Sequence, residues 1–334
     1  MLGKRIGIDL GTANSLVWLA GKGLVMNEPT VVAMTADDDK VVAVGNEAKE
    51  MLGKTPGGIV ARRPMRDGVI ADYRVTRAML AYFIQRVCGR VFLVKPEVMI
   101  CVPAGVTQVE RRAVLDATLS AGAKTAYLID EPLAAAIGAR LPIATASGNM
   151  IIDIGGGSAE AAVISLGGVV VHKSVRIAGN KIDEAIIAYL RRRHNLLIGD
   201  TTSEDVKIRI GSATLLSEEE HMEVKGRDYV TGLPRAIMIS STEITEAIRA
   251  VLIQIVGAAK GVLEETPPEL ASDIIDKGIV MSGGTSTLRN FDRFMTDLTG
   301  VPCHVAEEPL FCVVRGTGIA IENLDLYKKS VNRR

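Results

Sequence analysis

The chain has 334 residues, enough for two domains, and a chain of this size buries roughly 75% of the surface its unfolded form exposes. Lys+Arg and Asp+Glu both number 39, so no global basic field points to nucleic acid as a partner. Hydrophobic residues make up 48%, yet no apolar run approaches the ~20 residues that a membrane-spanning helix needs.

The N-terminus enters a strand-like run almost at once and carries no secretory-signal pattern. That run, Ile6-Gly7-Ile8-Asp9-Leu10-Gly11-Thr12, delivers an aspartate at its end and breaks into a glycine turn. Further apolar runs at Leu16–Leu19 and Leu24–Met26, separated by another glycine turn, predict strand, turn, strand, turn, strand. Gly53-Lys54-Thr55 imitates the end of a P-loop, but the position that needs the first glycine is Ala48. A helix is expected over Thr76–Val87. It is followed by Arg90-Val91-Phe92-Leu93-Val94-Lys95-Pro96, four apolar residues between two cations, readable as a short buried strand or as an exposed apolar loop. Val98–Pro103 is a buried-type strand. Thr107-Gln108-Val109-Glu110 is a capping box that opens a helix, with Gly122 as its stop. Ala126–Ile129 is the next strand, and Pro132 suits a first helical turn, so Glu131 falls at a strand-to-helix junction.

The first pattern then returns 144 positions later as Ile151-Ile152-Asp153-Ile154-Gly155-Gly156-Gly157. Runs at Ala161–Leu166 and Val169–Val171 follow it, and Asp9/Asp153, Gly11/Gly155 and Gly23/Gly167 keep the same offset of 144. A dinucleotide fingerprint is excluded, because its third glycine would fall at Glu160. Glu218-Glu219-Glu220 reads as a solvated acidic loop. Ser240–Glu265 reads as a long core helix with Ile244, Ile248, Val251, Ile255 and Val262 on one face. Strands and helices alternate as in an α/β fold. The cysteines Cys88, Cys101, Cys303 and Cys312 form no Cys-x-x-Cys pair and read as reduced thiols of a cytoplasmic protein. His172, His194, His221 and His304 are scattered and predict no metal site.

A duplicated carboxylate beside a glycine turn predicts two copies facing each other across a cleft. Glycine turns let backbone N–H groups approach and cradle phosphate oxygens. Aspartates beside phosphates need a cation between them, and Mg²⁺, which takes one or two carboxylates and keeps its waters, fits. The expected ligand is therefore a Mg–nucleoside triphosphate held between two related halves. As a helix N-terminal carboxylate, Glu131 has a structural reading through the helix dipole and a functional one as the group that orients an attacking water.

The paired motifs resemble the phosphate loops of the actin superfamily, which includes sugar kinases and heat-shock chaperone ATPases. Asn27-Glu28-Pro29-Thr30-Val31-Val32, Arg63-Pro64-Met65-Arg66-Asp67-Gly68-Val69-Ile70-Ala71-Asp72-Tyr73 and Glu131-Pro132-Leu133-Ala134-Ala135-Ala136-Ile137-Gly138 resemble the MreB family of bacterial actins. So do Thr231-Gly232-Leu233-Pro234-Arg235 and Thr266-Pro267-Pro268-Glu269-Leu270, and the similarity runs from about residue 4 to about residue 325. The resemblance implies an actin-like α/β fold in four subdomains: 1–32 with 74–145 and 310–334, 33–73, 146–180 with 251–309, and 181–250. It implies ATP in the central cleft, with phosphates on Gly11, Thr12, Ala13, Asn14, Gly155, Gly156 and Gly157. Mg²⁺ would lie on Asp9 and Asp153, and Glu131, Asp153 and Ser158 would be catalytic. Gly283, Gly284 and Thr285 would line the adenine end, with Glu204 and Lys207 near the ribose or base. It further implies filaments of the chain itself on the inner face of the cytoplasmic membrane, with Phe92 and Leu93 as the inserting loop. By the same resemblance the partners are MreC, MreD, RodZ and cell-wall elongation enzymes. A small-molecule kinase and a non-hydrolysing structural filament stay open as alternatives.

Several positions depart from the family pattern. Ser158-Ala159-Glu160 stands where Thr-Thr-Glu is usual, and the expectation is that Ser158 keeps a hydroxyl while Ala159 loses one. Gly179-Asn180-Lys181 replaces Gly-Asp-Glu, which would put an amide and a cation near the cleft. Thr285 replaces a third glycine and is expected to crowd the base.

Overall fold

The structure, a computed structural model, describes residues 3–37, 40–89, 94–327 and 331–333. In chain order, β1 (Arg5–Leu10), β2 (Asn14–Leu19) and β3 (Gly23–Pro29) form an antiparallel meander. β4 (Val32–Thr35), β5 (Val41–Val44), α1 (Asn46–Glu50) and β6 (Ile59–Arg62) form a small unit whose sheet runs β5-β4-β6. The two-residue strands β7 (Met65–Arg66) and β8 (Val69–Ile70) pair before α2 (Tyr73–Cys88). β9 (Glu97–Val102), α3 (Gln108–Ser120), β10 (Thr125–Asp130) and α4 (Glu131–Gly138) complete the first half apart from its C-terminal elements.

The second half repeats the plan with the meander β11 (Asn149–Ile154), β12 (Ala159–Ser165) and β13 (Gly168–Val175). α5 (Gly179–His194), β14 (Leu196–Leu197), α6 (Asp200–Ile210), β15 (His221–Asp228) and β16 (Pro234–Ser240) form the second small unit, its sheet running β14-β15-β16. α7 (Ser241–Glu265), α8 (Pro268–Lys277), β17 (Ile279–Ser282), a 3-10 turn at Gly284–Thr287, α9 (Phe291–Thr299) and β18 (Cys303–Val305) follow. The chain closes with α10 (Cys312–Glu322), α11 (Leu324–Tyr327) and β19 (Asn332–Arg333).

The two large sheets carry the duplication. One is ordered β19-β10-β9-β1-β2-β3 and the other β13-β12-β11-β17-β18. In each, a three-stranded antiparallel meander continues into two parallel strands through its first strand. β11 is buried along its whole length, as expected of a parallel-type strand covered on both faces. Strands extend beyond the apolar runs, and β2 begins at Asn14, which places that residue in the strand rather than the turn. The Thr107/Glu110 capping box forms, with Thr107 N–H donating to Glu110 Oε2 at 2.7 Å. α2 begins three residues before Thr76, because Asp72 caps it by accepting from the Arg74 and Val75 amides at 3.0 and 3.2 Å. On α7, Ile244, Ile248, Ile255 and Val262 are fully buried in the core of the second half, and Val251 sits at its edge. Glu218, Glu219 and Glu220 are exposed, but Glu220 also pairs with Arg289 at 2.6 Å and so fastens the loop.

One apolar cluster spans both halves. It joins Met99, Cys101 and Ile129 of the first sheet to Ile151, Ile164 and Val280 of the second through α4 and α10. α4 and α10 cross with backbones in contact: a Cβ on Gly316 would overlap the Ala134 carbonyl, and one on Gly138 the Cys312 carbonyl. Gly316→Ala should therefore lower stability by about 1–3 kcal/mol. Gly257→Ala is the control, since a Cβ there meets nothing within 4 Å, and it should be neutral or add up to ~1 kcal/mol through helix propensity. The urea unfolding midpoint should fall for Gly316→Ala and hold or rise for Gly257→Ala.

Candidate functional site

β1 and β11 are the first strands of the two repeats, and each carries its aspartate one residue from its C-terminal end. The glycine turns that follow touch each other. A Cβ on Gly156 would lie 2.7 Å from the Ala13 Cβ, and one on Gly157 would overlap the Thr12 hydroxyl. Backbone can come this close only without side chains, which is the local reason for the glycine run. The Thr12 hydroxyl accepts from the Gly68 amide at 3.0 Å, which ties the first turn to the β7–β8 connection.

Above the turns lies a cavity of about 450 Å³. Its floor holds Asp9, Gly11, Thr12, Ala13 and Asn14 from one repeat, Asp153, Gly155, Gly156, Gly157 and Ser158 from the other, and Glu131 from the start of α4. Its far end holds Glu204 and Lys207 of α6 together with Gly283, Gly284 and Thr285. The structure thus brings together in one cavity every residue proposed from sequence for nucleotide, metal and catalysis. Phe92 and Leu93 lie outside the described residues.

The floor is electrostatically loaded. Burial, then the charge of Asp153, raises the Asp9 carboxyl from 3.8 to about 7, against a hydrogen bond from the Cys101 thiol at 3.4 Å. Burial raises Asp153 to about 6, opposed by the Ser282 hydroxyl, which donates to Asp153 Oδ1 at 2.7 Å. Glu131 is pushed well above the carboxylate range by burial first and then by the charges of Glu160, Asp9, Asp153 and Asp130. A second cavity, of about 300 Å³ and lined by Leu10, Met65, Ile70, Ile100 and Val102, opens behind Glu131 and keeps that side apolar. Glu160, which pairs with Asp153 across β11 and β12, is raised to about 7 by burial although the Ala104 amide and the Ser174 hydroxyl donate to it at 2.9 and 2.7 Å.

Two expectations about the departures need correction. Ala159 packs in the apolar core under β12, so a hydroxyl missing there does not face the cavity. Lys181 does not add a cation to the cleft: its ammonium pairs with Glu184 at 2.6 Å on the exposed side of α5. Thr285 lines the cavity as expected and turns its hydroxyl to the Gly155 carbonyl at 2.7 Å, which fastens the 3-10 turn to the second glycine turn. Asn180 does line the cavity, and its amide donates to the Gly156 carbonyl at 2.7 Å.

Sequence reasoning missed Ser282, Cys101 and Arg289. Ser282 reaches Asp153 because β11 and β17 pair in parallel with Asp153 opposite Ser282, and Cys101 reaches Asp9 from the parallel neighbour β9. Parallel register between distant strands is not written in either strand; the position of Ser282 directly before Gly283-Gly284 was the one available signal. Among the described residues no group of three or more His, Cys, Asp or Glu side chains could hold a metal ion, all four cysteines are free, and no helix is long and apolar enough to cross a membrane.

The sequence profile described as MreB/Mbl protein matches residues 3–329. The cell shape-determining protein MreB of Escherichia coli K12 is 51% identical over 332 residues, covering 98% of this chain and 96% of the relative. The cell shape-determining protein Mbl of Bacillus cereus is 49% identical over 333 residues, covering 100% of both. The crystal structure of MreB5 of Spiroplasma citri bound to ADP superposes with a TM-score of 0.92 at 38% identity, covering 98% of each chain. MamK from its double helical filament shares the fold, with a TM-score of 0.80 at 22% identity over 95% of this chain and 99% of that one. The duplicated sheets, the paired turns and these likenesses together place the chain in the MreB/Mbl family of actin-like, cell shape-determining proteins.

Proposed function

We propose that this chain binds Mg-ATP in the cavity between its halves, hydrolyses it, and assembles into membrane-apposed filaments that support cell shape. The observation that carries the reading is the convergence of Asp9 and Asp153, each at a strand end beside a glycine turn, on one cavity floor. The relatives from Spiroplasma citri bind ADP and AMPPNP in the same fold. The four-part division implied by the resemblance, with small units at 33–73 and 181–250, is part of the proposal.

The residues present fit a divalent cation. Burial raises both carboxylates and the charge of Asp153 adds to the rise at Asp9, and no cationic side chain of the described residues is among the influences on either. Asp9 and Asp153 would hold Mg²⁺ largely through its waters. Bound there, the ion supplies the positive charge that offsets phosphates and carboxylates together. Backbone amides of the two glycine turns would hold the phosphates, while Ser158 and Glu131 would position the attacking water in line with the γ-phosphate. The charges of Asp9 and Asp153 are two of the causes that keep the Glu131 proton on. Neutralising them lowers the Glu131 carboxyl, so the same event that fills the site readies its base.

The electrostatics set a pH dependence. Asp9 and Asp153 have folded-state values above their ordinary 3.8, so the protonated form favours folding. That contribution is complete below the ordinary value and is lost as pH rises through about 6 to about 7. The cation-free protein should lose thermal stability across this window, and Mg-ATP should raise Tm more above it than below. Asp9→Asn should flatten the slope in thermal scans; a Tm gain independent of pH would count against the cation site.

For the chemistry, Asp153→Ala should abolish phosphate release. Glu131→Ala should slow it by about 10²–10³ while calorimetry still registers Mg-ATP binding. Wild-type protein without Mg-ATP affinity would overturn the reading, and release that requires a small-molecule acceptor would favour a kinase.

The assembly carries its own test. A head-to-tail contact that does not close gives an open filament. The chain should sediment with ATP above a critical concentration and float with anionic liposomes. Phe92→Ser/Leu93→Ser should lose flotation but keep sedimentation. Each apolar side chain contributes roughly 1.5–3 kcal/mol in lipid, too little for a monomer and enough for an array. Equal flotation of the double variant would remove this loop as the anchor.

A further inference from the structure

Glu204 and Lys207 sit three residues apart on α6 and both line the cavity, yet their ion-pair partners come from different small units. Lys207 is tied within its own half, with Nζ 2.8 Å from Asp183 Oδ1 and 3.4 Å from the Gly179 carbonyl. Glu204 reaches out: its Oε2 accepts from Lys49 Nζ at 2.9 Å, 155 residues away on α1 in the first small unit. Burial pushes the Glu204 carboxyl up, and the Lys49 hydrogen bond, with the charges of Lys49, Lys207 and Arg63, more than offsets it and leaves the group below its ordinary value. Lys49 and Arg63 both come from the first small unit, so that unit presents positive charge to a carboxylate of the second.

The lysine is anchored at its base. Glu28 Oε2 accepts from both the Asn46 amide and the Asn46 side chain, at 3.1 and 2.9 Å, which pins the start of α1 to β3. The Lys49 amide donates to the Gly45 carbonyl at 2.9 Å, at a turn where Gly45 takes φ 74°. The ion pair therefore links α1 of the first small unit to the cavity-lining helix α6 of the second, and both side chains keep about a third of their surface exposed, at 34% each.

We propose that the Lys49–Glu204 pair is a latch across the mouth of the nucleotide cavity: it holds the Glu204 carboxylate at the sugar–base end of the ligand and sets the rate of nucleotide exchange. The inference rests on the nucleotide-binding reading above. A nucleotide buried to its phosphates leaves only when the two small units part, and parting them breaks this pair. Its loss then appears in the release rate. Lys49 is a positioning residue, because it acts on the ligand through Glu204.

The experiment is displacement of a fluorescent N-methylanthraniloyl-ATP from the full chain with Mg²⁺, chased with excess ATP in a stopped-flow instrument. An ion pair with this exposure predicts release about two- to fivefold faster in Lys49→Met. Wild-type release should quicken with salt, since exposed charges are screened, and Lys49→Met should be far less sensitive. Lys49→Arg should restore slow release. Glu204→Gln should speed release, and adding Lys49→Met to it should do nothing further, the signature of one shared contact. A merely structural role for Lys49 would move the urea midpoint and leave the salt dependence intact. If wild type binds the analogue and Lys49→Met releases it at the wild-type rate, or if the two substitutions add, the latch is wrong and the nucleotide reading stands. If wild type fails to bind the analogue, both fall.

Discussion

Two carboxylates, Asp9 and Asp153, share the floor of one cavity, and the charge of one raises the other. Asp9 and Asp153 are each held by one weak or neutral donor, the Cys101 thiol and the Ser282 hydroxyl, and neither donor cancels a charge. Burying unpaired charge is costly, and a group so placed shifts its protonation instead. The fold keeps both groups in place because their strands are the first strands of two covered sheets, fixed by apolar contacts on either side. The result is a floor whose carboxyls hold their protons to higher pH than free aspartates do, at the place where the two halves meet.

Glu131 belongs to the same balance. It opens α4, the helix that sits in the apolar cluster shared by both large sheets. Its carboxyl feels Glu160 and Asp153 from the second half and Asp9 and Asp130 from the first. A group in that position reads the charge state of the whole floor. Glu160 extends the link: it lies on β12 but accepts from the Ala104 amide in the loop after β9, so a carboxylate of one half closes a backbone donor of the other. The two halves and the charge state of the floor are therefore linked through side chains that line the cavity or touch it.

How much of this could be read from residues alone depends on whether the signal was local. The aspartate-plus-glycine turns, the Thr107/Glu110 box and the apolar face of the long helix are local patterns, and they matched the elements that formed. The Asp72 cap is equally local and was overlooked in favour of the apolar run beginning later. Ser282 and Cys101 depend on parallel pairing between strands far apart in sequence, and Lys49 depends on how two small units face one another. No periodicity encodes those meetings. Ala159 and Lys181 differ from expectation for a related reason: a residue next to a motif in sequence need not point where the motif points. Ala159 opens β12 and packs into the core, while Ser158, the residue before the strand, lines the cavity.

The two ends of the cavity are built on different principles. The floor uses backbone and buried carboxylates, with turns in mutual contact that leave almost no freedom of placement. Such an arrangement suits phosphates and a metal, whose geometry tolerates little error. The far end uses long, partly exposed side chains on α6 and α1, joined by an ion pair that salt can loosen. Weak, screened contacts are the ones that can break and re-form without unfolding anything. A rigid floor with a loosely held mouth is the arrangement that the proposed nucleotide site requires, and that division follows from where backbone ends and side chain begins.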